Sequence, residues 1–394
     1  MSGAPAEREN VDHQWRVLGA LTFGTVSFLG GQLVLAPLLP TIVAAFDITS
    51  AQVGGALTVM WACAALAMYP GGLLSDRFSR RVVLVAATSV GSVGLILATV
   101  APVFPLFVVA LAFLGIGIGL YEPTSMATIA DLFTSARGRA FGVVSASYNV
   151  GSGAAAGIVI VALWLGPWRY AFLPALGGLL VVALLFHRWL SGPYVLHRVR
   201  LTPQASLRRV LTTSELRLLL ALFCLYMFLW QGTISFLPTL LQAELAATPT
   251  QATLAFATIF AIGLITSPIV GALGDRFGHQ RVGLLSPLVG AVGLSILLTF
   301  PTPFGLIVGT VTFSIGLVTF WPVMTAELID GLADSTMGAD YGATRAIFYA
   351  VGSLGPTYVG VIAERYSYVV AYTGFLGCFL LAAGVLAALA ASGR

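Results

Sequence analysis

Two glutamates stand inside long apolar runs, and they are the residues of this chain best placed to do chemistry. Glu122 lies in Leu120-Tyr121-Glu122-Pro123, and Glu327 lies three residues before Asp330. A carboxylate in hydrocarbon is costly unless it faces a cavity, finds a partner or takes up a proton. Glu122 is therefore read as a group that carries a proton or contacts a cationic substrate group. The plainer alternative is a structural carboxyl bonded to Tyr121 or to a neighbouring helix. Glu327 reads as a gate at a helix end, paired with Arg345; the alternative is a solvated terminus. Amides in hydrocarbon also need partners, which singles out Gln32, Asn149 and Gln231. Together with Tyr148, Trp230, Trp321 and Tyr349 they are the expected lining of a substrate cavity. No catalytic triad, metal-ligand spacing or phosphate-binding glycine loop accompanies them. We therefore expect no enzyme and no cofactor.

These residues need a membrane around them. Hydrophobic residues make up 58% of the 394 positions and charged residues only 9%, where an average soluble domain is roughly a quarter charged. A run of about 20 apolar residues crosses a bilayer as a helix. Twelve such runs are expected near 17–45, 51–74, 82–100, 104–130, 139–164, 170–189, 216–242, 251–273, 282–300, 304–328, 342–363 and 367–391. The polar first 16 residues precede a run too long for a signal-peptide core, so the first span is read as uncleaved. Cys63, Cys224 and Cys378 all fall inside apolar runs and read as buried hydrophobes.

Arginine supplies every cationic side chain apart from four histidines. With the N-terminus inside, only Arg169 and Arg365 fall on the outer face. All the others, Arg345 at the start of the eleventh span included, fall inside. That asymmetry is the cytoplasmic signature of a multi-pass protein, so both termini are expected in the cytoplasm. The net charge of +4 is then topology and makes no case for nucleic acid. The longest polar stretch, 190–215, holds Pro193, Pro203 and four arginines. It reads as a linker between an N-terminal half, 1–189, and a C-terminal half, 216–394.

The halves repeat one another. Gly72-Leu73-Leu74-Ser75-Asp76-Arg77-Phe78 returns as Gly271-Ala272-Leu273-Gly274-Asp275-Arg276-Phe277, a shift of 199. Pro123 and Pro322 keep that shift, as do Asp131 and Asp330; Pro40-Thr41 and Pro238-Thr239 stand 198 apart, and Gly151-Ser152 and Gly352-Ser353 stand 201 apart. Each half holds an even number of spans, so the halves run parallel, related by an axis along the membrane normal with a cavity between them.

The turn running through Arg80 and Arg81 resembles the loop 2–3 signature of the major facilitator superfamily, with Ser75 and Ser79 departing from it. In the second copy His279 and Gln280 replace the basic pair. Asp131 followed by Arg137-Gly138-Arg139 resembles the loop 4–5 motif of that family, and Trp168-Arg169-Tyr170-Ala171-Phe172 resembles the usual start of its sixth span. The resemblance implies an all-α membrane protein of twelve transmembrane helices, built as two six-helix bundles. It implies a secondary transporter that moves a small organic solute by alternating access, with protons as a coupling partner. It further implies a latch in which Gly72, Asp76, Arg77, Arg80, Arg81, Asp131, Arg137 and Arg139 hold the inner face, with Asp275 and Arg276 as a weaker second copy. We expect a monomer in the plasma membrane.

The alternative is an exporter of amphipathic compounds. The family's drug antiporters carry an arginine in mid-span 4 and a Gly-Pro pair in span 5. Neither is present in Val108–Gly115 or in Gly151–Gly157. A sensor without transport is a remote alternative. No arginine is expected in the cavity-lining spans, which disfavours strongly anionic substrates.

Overall fold

The computed structural model describes residues 4–77, 79–133, 137–190, 211, 214–331 and 337–391. Those residues form twelve helices long and apolar enough to cross a membrane. In chain order they are span 1 (His13–Phe46), span 2 (Ser50–Ser75), span 3 (Arg80–Val100), span 4 (Phe104–Leu132), span 5 (Ala146–Leu165) and span 6 (Trp168–Trp189). The second set is span 7 (Glu215–Glu244), span 8 (Pro249–Phe277), span 9 (His279–Thr299), span 10 (Pro303–Asp330), span 11 (Asp340–Arg365) and span 12 (Tyr368–Ala390). No strand occurs among the described residues. Most of the segment expected to link the halves lies outside the described residues.

The outer surface is as apolar as the interior. Leu66, Trp164 and Phe304 are more than three-quarters exposed, which is the exterior that a bilayer solvates and water does not. With hydrocarbon outside, burial of apolar area drives little helix association, so close backbone approach has to do it. Gly115 of span 4 illustrates this. A methyl group there would stand 2.0 Å from the Met60 carbonyl oxygen of span 2. Spans 2 and 4 therefore lock together, and span 4 is held rigidly where it carries Glu122.

Two spans are broken, and proline explains both. Span 1 passes from one helix, Ala4–Leu33, to another, Leu35–Phe46. Pro37 cannot donate to the carbonyl of Leu33. Span 11 passes from Met337–Gly352 to Leu354–Arg365, where Pro356 likewise leaves Gly352 without its partner.

Within each half, span 4 packs on spans 2 and 3, and span 10 packs on spans 8 and 9. Between the halves, span 2 packs on span 11, span 5 on span 8, and the second helix of span 1 on span 7.

The polar contacts across the halves gather at the end remote from the Arg80 turn. The Ser50 and Tyr368 hydroxyls are 2.7 Å apart. The backbone N–H of Ala51 donates to Glu364 over 3.1 Å, which places a carboxylate at the N-terminus of span 2. The Thr58 hydroxyl contacts the Ser353 carbonyl and lies 2.7 Å from the Thr357 hydroxyl. The backbones nearly touch, for a methyl group on Gly54 would stand 2.5 Å from the Pro356 carbonyl oxygen. Gly54→Val is therefore expected to wedge this end open. Spin labels at Ala45 and Arg365 should report a longer mean separation than in wild type; an unchanged distribution would show that the contact yields without separating the halves.

Candidate functional site

A cavity of about 690 Å³ lies between the two halves. Its wall reaches Ile329, one residue from the end of span 10. In the other direction it stops at Gln32, Leu33, Trp61 and Ile234, beneath the contact between spans 2 and 11. The cavity thus extends toward the end that carries the Arg80 turn. Its volume falls in the range of about 300–1,000 Å³ typical of small-molecule sites.

Among the described residues, the wall carries two charged side chains, Glu122 of span 4 and Arg345 of span 11. They form an ion pair across the halves, with Arg345 Nη2 donating to Glu122 Oε1. Both are largely withdrawn from solvent, at 12% and 21% side-chain exposure respectively. The Tyr148 hydroxyl of span 5 donates to the same Glu122 oxygen over 3.3 Å. Arg345 Nη2 also donates to the Tyr349 hydroxyl at 3.2 Å. The guanidinium lies 5.9 Å from the Tyr341 ring centroid and 5.4 Å from that of Tyr349. Both rings come from its own helix, one turn before and one turn after, and add cation–π attraction.

The local sequence explains these placements. Pro123 cannot donate to the Gly119 carbonyl, and Ser125 donates to the Glu122 carbonyl over 2.9 Å. The missing bond loosens the backbone beside the carboxylate, and the Ser125 hydroxyl adds a donor to the Glu122 carbonyl itself. Tyr148 and Tyr349 stand 201 residues apart, the shift of Gly151 and Gly352. The repeat thus supplies one phenol from each half to the same ion pair. At the shift of 199, Glu122 corresponds to Trp321. One wall bears a carboxylate where the other bears an indole.

Arg345 corrects the sequence reading twice. It is not an interfacial anchor, because its helix begins at Met337 and places it two turns along that helix, facing the cavity. Nor does it pair with Glu327. Gln280 Nε2 donates to Glu327 over 2.7 Å, and His279 Nδ1 lies 3.6 Å from it. Glu327 is held within its own half by the start of span 9. The expectation that no arginine lines the cavity is also overturned, and with it the reason to disfavour anions. A signal was available in the sequence. Tyr341, Arg345 and Tyr349 share one helical face, a pattern unlike that of a lone charge at the start of a span.

The other expected lining residues divide. Gln32, Tyr148, Asn149, Trp230, Trp321 and Tyr349 line the cavity. Gln231 does not. It is fully buried, and neither of its amide atoms has a hydrogen-bond partner among the described residues. Span 7 contributes Met227, Trp230 and Ile234 to the wall instead. Tyr121 also reaches elsewhere: its hydroxyl donates to the Leu21 carbonyl, so it does not hold Glu122.

The expected latch is only partly within the described residues. Arg80 meets Asp131 through Nη2 at 3.0 Å and Nε at 3.1 Å, and its Nη1 donates to Ser75 Oγ at 2.6 Å. The Ser75 hydroxyl in turn donates to the Gly72 carbonyl at 2.7 Å. Arg81 donates to the His187 carbonyl. All of these contacts lie inside the first half. The side chains of Asp76, Arg77, Arg137 and Arg139 lie outside the described residues. In the second copy His279 Nε2 stands 3.2 Å from Asp275, and Arg276 lies 5.1 Å from the Phe277 ring. The replaced basic pair, His279 and Gln280, thus still ties span 9 to spans 8 and 10. Exposed pairs such as Arg80–Asp131 contribute little to stability, about 1 kcal/mol or less.

Comparison with known proteins extends this geometry. The profile of the Major Facilitator Superfamily matches residues 21–243 and 218–392. A probable 4-methylmuconolactone transporter of Cupriavidus pinatubonensis is 29% identical over 259 residues, which span 63% of this chain and 60% of that protein. An uncharacterized MFS-type transporter of Bacillus subtilis, YwfA, is 26% identical over 373 residues, 89% of this chain and 86% of its own length. The solved structure of a point mutant of the nucleoside transporter NupG superimposes with a TM-score of 0.81 at 13% identity, covering 95% of this chain and 99% of that one.

Proposed function

The chain belongs to the major facilitator superfamily, and on that basis we propose that it is a proton-coupled secondary transporter of a small organic solute. It works by alternating access, with Glu122 as the proton carrier. The observation that carries this reading is the Glu122–Arg345 pair, which joins span 4 to span 11 inside the cavity.

The pair has the properties a coupling element needs. Arginine keeps its proton under all working conditions, whereas a carboxylate titrates. When Glu122 is ionised, attraction in a poorly solvated site holds the halves together through the pair. When Glu122 takes a proton, that attraction goes and the two spans are free to part. Rocking of one bundle against the other then alternates access around the cavity. The arginine distribution supports a cytoplasmic position for both termini in the plasma membrane. In that orientation the contacts of Ser50, Gly54 and Thr58 with span 11 close the outer face, and the cavity opens inward. Arg80 and Asp131 act as an inner latch within the first half. The linker at 190–215 joins bundles that each begin and end inside. A monomer suffices, since one copy encloses the cavity between its own halves.

Proteoliposomes test the coupling directly. Solutes are first selected by thermal stabilisation of the purified protein from a panel of cations, zwitterions, neutral compounds and carboxylates. An imposed pH gradient is expected to drive a selected solute above its equilibrium distribution. Equal levels with and without the gradient would sink the proton reading.

A further inference from the structure

The site's charge states point to the class of solute. Resting on the reading of Glu122 as proton carrier, we propose that the cargo is a flat organic monoanion. Its acidic group takes the place of Glu122 on Arg345, and its ring lies against the indoles of the cavity wall.

Charge balance is the first reason. Among the described residues the wall bears one carboxylate and one guanidinium. With Glu122 ionised the site is neutral; with Glu122 protonated it carries one positive charge. It never reaches net negative charge while Arg345 stays protonated. An organic cation would therefore meet either a satisfied pair or a like charge. A monoanion restores neutrality at the moment a proton has removed the partner of Arg345. Proton and anion then occupy the site together and leave it together, and the loaded cavity is as neutral as the empty one. A neutral cavity crosses the low-dielectric core at the least electrostatic cost.

Hydrogen-bond capacity is the second reason. A guanidinium has five N–H donors in a planar fork matched to two carboxylate oxygens. Nη2 serves Glu122 and Tyr349. No acceptor stands on Nε or Nη1 among the described residues. The guanidinium lies in the wall, so a two-point contact with an incoming anion is open to it. Tyr148, whose hydroxyl serves Glu122, is placed to donate to the same anion.

Wall chemistry is the third. Trp61, Trp230, Trp321 and Phe348 line the cavity with Arg345. Trp230 and Trp321 meet edge to face with centroids 5.8 Å apart, and Trp61 stands 6.1 Å from Tyr349. Such surfaces favour a flat apolar body over a hydrated polyol.

The pH dependence would come from few groups. Those facing Glu122 are Tyr148 of span 5 and Arg345, Tyr349 and Tyr341 of span 11. Span 4 adds Tyr121 to the wall, and spans 1, 2 and 3 add no titratable residue to it.

The test is thermal stabilisation of the purified full chain by benzoate, benzamide and benzylammonium, at an acidic and a neutral pH. Benzoate is expected to stabilise wild type, with roughly tenfold tighter apparent binding at the acidic pH; benzamide and benzylammonium are not. Glu122→Gln should bind benzoate equally at both pH values. Because Arg345→Gln alone leaves a buried charge and could misfold, the neutral double variant Glu122→Gln/Arg345→Gln is used, and it should not bind benzoate. The proposal is overturned if benzoate gives no shift, if benzamide or benzylammonium matches it, or if the double variant binds it as wild type does. The two readings fail separately. Arg345-dependent benzoate binding that keeps its pH dependence in Glu122→Gln supports the anion site and removes Glu122 as proton carrier. A neutral or cationic probe whose pH dependence vanishes in Glu122→Gln overturns the anion site and leaves the carrier.

Discussion

Glu122→Gln proteoliposomes exchange solute at close to the wild-type rate and fail to accumulate it against a gradient. The amide keeps the size of the carboxyl and keeps an oxygen to accept from Arg345 and Tyr148. It mimics the protonated acid, so the bundles part as they do in the protonated wild type. It cannot release a proton, so movement of solute is no longer tied to movement of protons. Counterflow, which needs no net proton transfer, should stay within about threefold of wild type. Accumulation driven by a pH gradient should fall at least roughly tenfold, which corresponds to about 1.4 kcal/mol or more of lost coupling. Measuring both in one preparation separates coupling from folding. Loss of both activities would mean that Glu122 is needed for binding or structure; retention of both would remove it from the mechanism.

Arg345→Met is expected to be the most destabilising single change in the cavity. It leaves Glu122, at 12% exposure, without a countercharge. Removing one member of a buried pair costs about 3–5 kcal/mol, whereas removing both together is often nearly neutral. The double variant Glu122→Gln/Arg345→Met should therefore recover most of the stability lost in the single variant. A double-mutant cycle read by unfolding in detergent should give a coupling of about 1–3 kcal/mol. Additive losses would mean that the contact contributes nothing beyond its separate side chains. The cation–π contacts with Tyr341 and Tyr349 predict that Arg345→Lys is no conservative change either, since ammonium lacks the planar fork.

Much of this protein could be read from one dimension. Runs of apolar residues decide which segments enter a bilayer, because a backbone in hydrocarbon must satisfy itself as a helix. That constraint is local, so all twelve spans were legible, with only their ends shifting. The repeat was legible for a similar reason. Gly72 and Gly271, or Asp131 and Asp330, keep their spacing because each half is the same bundle. Glu122 was legible because a carboxylate beside Pro123 in the middle of an apolar run has few structural excuses. The meeting of Arg80 with Asp131 could be anticipated because both flank neighbouring turns on one face.

Arg345 was not legible in the same way, and Glu327 and Gln231 were misplaced with it. Hydropathy gives the depth of a residue to within a few positions, and a helix that begins at Met337 turns a supposed anchor into a cavity residue. Periodicity gives the face a residue shares but not the direction in which that face points. The azimuth of span 11 is set by its packing on span 2, through Gly54, Thr58, Ser353 and Pro356. That packing turns Arg345 toward Glu122, 223 residues earlier in the chain. It left Glu327 to Gln280, and the face that span 7 gives the wall is that of Met227, Trp230 and Ile234, without Gln231. The chain's own composition settled the membrane and the twelve crossings, because lipid acts on each helix separately. Only the docking of two bundles decided which charges meet, because attraction between groups so far apart in sequence exists only once both helices are in place.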